Sequence, residues 1–190
     1  MKTSILISTV AFCAALIALS GCSSSLSYQE AMNKNRKSLE SMERLEDANF
    51  LVEARSFNLL EKKVNELAQE KGYSADLVRY SKSEFEEQSK LEKALLKVAR
   101  KEKIRVPGEM KTEHERLYQD LVSSARSEFD DRYVDILERV NAEHANLFAE
   151  QASEAHDTEI RAFAARELGM LRANKDDLAK MEDQLMRTHR

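Results

Sequence analysis

Chain-breaking residues are almost missing: the 190 residues include one proline and four glycines. Average usage is about 5% Pro and about 7% Gly, and a β-sandwich or barrel needs a turn signal roughly every 8–12 residues. Too few such signals exist here, so an all-β fold is nearly excluded and long helices are expected. Apolar residues recur at a spacing near 3.5 rather than alternating, which is the helical period. Charge adds little about partners. The chain carries 30 Lys and Arg against 34 Asp and Glu, net −4 at pH 7. Such a balance gives neither a nucleic-acid footprint nor an acidic disordered tail.

The N-terminus reads Met1-Lys2-Thr3-Ser4, then an apolar run over 5–19 broken only by Ser8 and Thr9. A positive charge before a short apolar run is the layout of a secretory signal. The run falls short of the ~20 residues that span a bilayer. Leu19-Ser20-Gly21-Cys22 follows and resembles the lipobox of bacterial lipoproteins. That resemblance implies removal of residues 1–21 and acylation of Cys22, with the membrane as partner through this lipid anchor. Cys13 leaves with the signal and Cys22 is acylated, so no disulfide is expected. Ser23, rather than Asp, after the modified cysteine implies the outer membrane, on its periplasmic side. The inner membrane and the cell surface are the alternatives.

Residues 22–46 are expected to form a lipidated N-terminus, a Ser-rich tether over 23–27 and a possible short, loosely docked helix. Residues 47–190 are expected to fold as a four-helix bundle. The first helix should follow Asp47 as N-cap and stop at Gly72, burying Phe50, Ala54, Phe57, Leu60, Val64 and Leu67. The second should follow Ser74, using Leu77, Ser81, Phe85, Gln88, Leu91, Leu95 and Val98, and end before Pro107-Gly108. The third takes Phe129, Tyr133, Ile136, Val140, His144, Leu147 and Gln151. The fourth follows Asp157 and takes Ile160, Phe163, Glu167, Leu171, Asn174, Leu178 and Leu185. Short links near 72–73 and 155–157 predict two antiparallel hairpins. The long stretch 103–128, with a short amphipathic helix at Leu117, Leu121 and Val122, predicts the crossover of a ferritin-like bundle. No internal sequence repeat is visible.

Ferritin-like di-iron sites need a Glu-x-x-His on each of two helices. None occurs: the residues three before His114, His144, His156 and His189 are Lys111, Asn141, Ser153 and Met186. No metal or other cofactor is therefore expected. What remains is a mid-bundle polar layer of Glu61, Gln88, Asn141, His144 and Asn174. It is either a small polar pocket or a self-satisfied layer that fixes helix register, and amides are poor metal ligands. No phosphate loop or serine-nucleophile motif is present, so no enzyme is expected. Lys97, Arg100, Lys101, Lys103 and Arg105, interrupted by Glu102, could meet anionic head groups, or could simply complement the helix C-terminus in solvent.

Asp47-Ala48-Asn49-Phe50, Leu67-Ala68, Val106-Pro107, Phe129-Asp130-Asp131-Arg132-Tyr133, Phe148 and Arg161-Ala162-Phe163-Ala164 recur in an order that resembles the bacterial domain-of-unknown-function family 4142. The resemblance covers about 47–185 and implies a ferritin-like bundle exported to the cell envelope. Many members carry a His at the positions that are Gln88, Asn141 and Asn174 here, so a metal or proton role for those positions does not transfer. The expectation is a lipid-anchored, non-enzymatic envelope protein that binds an envelope partner or has a structural role. The alternatives are a metal- or small-ligand-binding module using the polar layer, or an immunity or exclusion lipoprotein.

Overall fold

The computed structural model describes residues 25–188; the expected signal segment 1–21 and the expected lipidation site Cys22 lie outside the described residues. Among the described residues the secondary structure is helical: α1 (Tyr28–Ser38), α2 (Met42–Lys71), α3 (Ala75–Lys101), α4 (Thr112–Val122), α5 (Phe129–Glu154) and α6 (Thr158–Thr188). The long helices close on one another, α2 against α3 and α5, and α6 against α5 and α3. α1 packs on α2, and α4 lies across α2 and α5.

The apolar interior is split in two. One cluster gathers Leu60, Val64, Leu77, Phe129, Tyr133 and Leu178; the other gathers Phe50, Leu51, Leu95, Phe148, Ile160 and Phe163. Each buried side chain of this size contributes roughly 1.5–3 kcal/mol. Among the described residues every core residue lies at or beyond Ala31, so the polypeptide from Ser25 onward contains both apolar clusters. The step from one cluster to the other falls between Ala54 and Phe57, Leu77 and Leu91, Val140 and Phe148, and Leu171 and Leu178. Gln88, Asn141, His144 and Asn174 occupy that step on α3, α5 and α6, and Glu61 meets Gln88 and His144 there from the neighbouring turns of α2.

The two helix pairs mirror each other at an offset of 83 residues, the separation of Glu61 and His144. Asp47 accepts from the backbone N–H of His156 at 2.9 Å and of Asp157 at 2.7 Å. Asp130 accepts from Tyr73 at 2.9 Å and Ser74 at 2.8 Å. Ser74 caps α3 by accepting from Asp76 and Leu77, and Asp157 caps α6 by accepting from Glu159 and Ile160. Each residue of these contacts in the second helix pair stands 83 positions after its counterpart in the first. Even the contact of Phe50 with Phe148, 5.1 Å between centroids, answers that of Tyr133 with Asn65, a hydrogen bond of 2.5 Å. No sequence repeat shows this, because the matched residues perform the same task with different side chains.

Several expectations need correction. Asp47 does not cap the first long helix. Ser41 does, its side chain accepting from the Arg44 backbone, and the boundary drawn at 46/47 falls inside α2. Asp47 looks like a cap because it is one, for the facing turn. Gly72 does end α2, but at φ −54° rather than in the left-handed region. Glycine is needed there for close approach, since a Cβ would stand 2.6 Å from Ala68 O. The segment before α2 is not loosely docked. Asn35 is fully buried and its side-chain amide pairs with the Arg105 backbone, donating to the carbonyl at 2.7 Å and accepting from the N–H at 2.8 Å. On α3, Glu84 rather than Phe85 points inward; the half-buried Phe85 ring lies under the Lys62 ammonium at 5.3 Å.

Candidate functional site

Glu61 on α2 is the hub of the polar step, and only 1% of it is exposed. One carboxylate oxygen meets His144 Nδ1 of α5 at 2.7 Å; the other accepts from Gln88 Nε2 of α3. Gln88 in turn receives two bonds from Asn58 Nδ2, at its backbone carbonyl (2.7 Å) and its side-chain oxygen (3.0 Å). Asn58 Oδ1 accepts from Arg55 Nη1 at 2.7 Å. The Arg55 guanidinium pairs with Glu92 at 2.7 Å, which also holds Lys62. A continuous polar path thus runs from the α5 imidazole, across α2 and α3, to a half-exposed acid on the α3 flank.

The helices place these groups through their period. Asn58, Glu61 and Asn65 are three and four residues apart and share one face of α2. Asn65 Nδ2 donates to the Glu61 backbone carbonyl at 2.8 Å, leaving its oxygen for the Tyr133 hydroxyl. The His144 ring stacks on Phe57 at 5.0 Å and 13° and takes the edge of Phe148 at 4.9 Å. These contacts fix the imidazole plane.

A second acid lies nearby. Burial, followed by the charges of Glu61, Glu87 and Asp177, pushes Glu84 up from 4.5 to about 8, so Glu84 is largely protonated at neutral pH. Burial in the same quarter raises the Tyr80 and Tyr133 hydroxyls well above their usual range.

Of the five residues singled out in the sequence, Glu61, Gln88 and His144 are bonded together. Asn141 and Asn174 are not part of that trio. Asn141 lies by the Tyr80 hydroxyl, and Asn174 receives that hydroxyl on its backbone carbonyl at 3.4 Å. Nδ2 of both amides and Nε2 of His144 are buried without a hydrogen bond of ordinary geometry. Sequence reasoning missed Asn58, Asn65, Arg55 and Glu84. The signal was present at Asn58, Glu61 and Asn65, a polar stripe beside the apolar seam, but a seam read at strict 3.5 spacing passes it by.

A smaller polar knot joins the crossover to α2. Ser56 Oγ lies 2.8 Å from His114 Nδ1 and accepts from the Lys111 backbone at 2.9 Å. Burial and the Lys111 charge pull His114 down to about 4, so this imidazole is neutral at pH 7. Glu53 holds Lys111 and the Tyr28 hydroxyl together. A serine and a histidine in contact suggest a nucleophile, yet the Ser56 side chain is wholly buried and no substrate could reach it.

The donor set at Glu61 consists of one carboxylate, one imidazole and amides. It does not fit a di-iron centre, which takes four carboxylates and two imidazoles, and among the described residues no group of three His, Cys, Asp or Glu could hold a metal ion. The surface hollows of about 610 Å³ at Tyr73 and Arg126 and about 520 Å³ between α2 and α4 are lined by none of these residues. Among the described residues no helix is long and apolar enough to cross a membrane. The family model described as domain of unknown function (DUF4142) matches residues 31–181. No curated protein and no solved structure matches the chain.

Proposed function

We propose that this chain, which belongs to the DUF4142 family, is a lipid-anchored envelope protein with a binding or structural role, and not an enzyme. Its long helices form a ferritin-like arrangement of two antiparallel hairpins joined by a crossover through α4. The reciprocal clamps of Asp47 and Asp130 support that connectivity, since each carboxylate grips the turn of the other pair. The polar step then acts as a register lock. Glu61, Gln88 and His144 come from three helices and are joined through the Glu61 carboxylate, so sliding any helix by one turn, about 5.4 Å, would break the set. This interhelical linkage carries the non-enzymatic reading. The Leu19-Ser20-Gly21-Cys22 motif supports the anchor, and Ser23 after it supports the outer membrane as the location. Mass spectrometry of the N-terminal peptide from the envelope fraction tests the anchor: an acylated Cys22 is expected, and an intact residue 21–22 bond overturns it. Crosslinking in cells should capture a discrete envelope partner; an immunity role would make that partner a foreign effector.

One feature favours a second reading, a module that binds a small polar ligand or a single ion: the buried, unbonded Nε2 of His144. Metal analysis of the purified protein decides it. Stoichiometric metal that disappears in His144→Ala would replace the register-lock reading.

A further inference from the structure

The docking of α1 relocates the positive charge of this molecule. Lys97, Arg100, Lys103 and Arg105 end α3 and begin the crossover. Asn35, 70 residues before Arg105, holds the Arg105 backbone through two hydrogen bonds. Lys34, Arg36 and Lys37 flank Asn35, so two basic segments lie side by side on a chain whose net charge is −4. All seven side chains are exposed. Lys101, within the same stretch, is engaged by Glu159 at 2.8 Å; no ion pair joins the seven to an acid among the described residues.

Complementing the α3 C-terminus would account for Lys97 and Arg100. It does not account for the cations on α1, nor for Lys103. Lys103 has φ 57°, the left-handed conformation that a glycine adopts without strain. It follows the α3 C-cap in a Schellman arrangement, with Ile104 N–H donating to Ala99 O at 2.8 Å and its own N–H to Arg100 O at 3.2 Å, where glycine is the usual residue. A lysine stands where the backbone favours glycine.

Ser25 and Leu26 also lie on this flank. Leu26 O accepts from Gly108 N–H at 2.8 Å, and Ser25 Oγ donates to Glu109 at 3.2 Å. Cys22 precedes Ser25 by three residues, a reach of at most about 10 Å. We infer that the flank formed by α1 and the start of the crossover is a docking surface for an anionic lipid membrane, contacted through Lys34, Arg36, Lys37, Lys103 and Arg105. The orientation in the cell rests on the reading of Cys22 as a lipid anchor. Anionic head groups attract Lys and Arg within a Debye length of about 8–10 Å, and α1, 11 residues long, spans only about 16 Å. The bundle therefore lies with this flank on the membrane.

The test uses the polypeptide from Ser25 onward, which carries no acyl chain, and vesicles of phosphatidylcholine with or without phosphatidylglycerol. Co-sedimentation should require phosphatidylglycerol and be reversed by high salt. The triple variant Lys34→Gln, Arg36→Gln, Lys37→Gln should weaken it at least about tenfold. Lys103→Gly should bind several-fold less while its melting temperature holds or rises, which separates docking from folding. A control triple on the far faces, Arg132→Gln, Arg139→Gln, Arg187→Gln, should bind as the unaltered chain does. Binding that ignores phosphatidylglycerol, or an equal loss in the control, overturns the inference. So does displacement by inorganic phosphate beyond its ionic-strength effect, which would mark a discrete anion site. The N-terminal mass reports on the anchor alone: acylated Cys22 without vesicle binding sinks the surface, and vesicle binding without acylation sinks the anchor.

Discussion

Removing Glu61 would strip the acceptor from Gln88 and His144 at once. Breaking a buried pair by deleting one partner costs about 3–5 kcal/mol, so Glu61→Ala should lower unfolding free energy by that amount in urea titrations. The triple replacement of Glu61, Gln88 and His144 by Leu should cost less than Glu61→Ala, because no polar atom is stranded. Among the described residues, the large shifts that fall between pH 4 and 8 are those of Glu84 and His114. Native Glu84 keeps its proton up to about 8, whereas its ordinary value is 4.5; the native state binds more protons across that window, and stability falls as pH rises through it. Native His114 takes its proton only near 4, against an ordinary 6.5; the unfolded chain binds more protons there, and stability falls as pH drops through that window. The slopes oppose each other between 4.5 and 6.5, and only that of Glu84 remains from 6.5 to about 8. Melting temperature should therefore decline over that upper range and become flat in Glu84→Gln. A wild-type profile already flat there would count against a protonated Glu84. These two residues were not legible in the sequence: a Glu beside a Phe on an amphipathic helix gives no sign of which one faces inward.

At the level of elements, the turns depend on carboxylates supplied from across the bundle. Each of Asp47 and Asp130 takes two backbone N–H groups. Hydrogen bonds to charged groups contribute about 1.5–3 kcal/mol each, so Asp47→Ala and Asp130→Ala should each cost about 3 kcal/mol or more. The clamps lie at opposite ends of helices roughly 40 Å long, and the double variant should be additive within about 0.5 kcal/mol. α1 is clasped to the crossover by the Asn35 amide and to α2 by the Tyr28 hydroxyl. Asn35→Leu should abolish hydrogen-exchange protection over residues 28–38 while α2 to α6 keep theirs; global unfolding instead would place α1 within the main cooperative unit. Element identity was largely legible, because Ser74, Phe129 and Asp157 mark their helices by local chemistry. The start of α2 was not. Asp47 satisfies a distant turn, and Ser41, the true cap, sits in a stretch whose apolar spacing is weak.

For the whole molecule, the all-helical class follows from the near-absence of proline and glycine, and the location of the polar step follows from the seams. What the sequence concealed is contact between segments far apart: the Asn35 clasp, the paired basic stretches and the correspondence of the two helix pairs. That correspondence has a physical consequence. Glu61 and His144 occupy equivalent positions and touch each other at 2.7 Å, so they face one another where the halves meet. A dimer of identical hairpins would be obliged to set like against like at that spot, acid on acid or imidazole on imidazole. Two halves on one polypeptide escape that obligation, and the complementary couple at the centre of this protein is open only to a chain whose halves are free to differ.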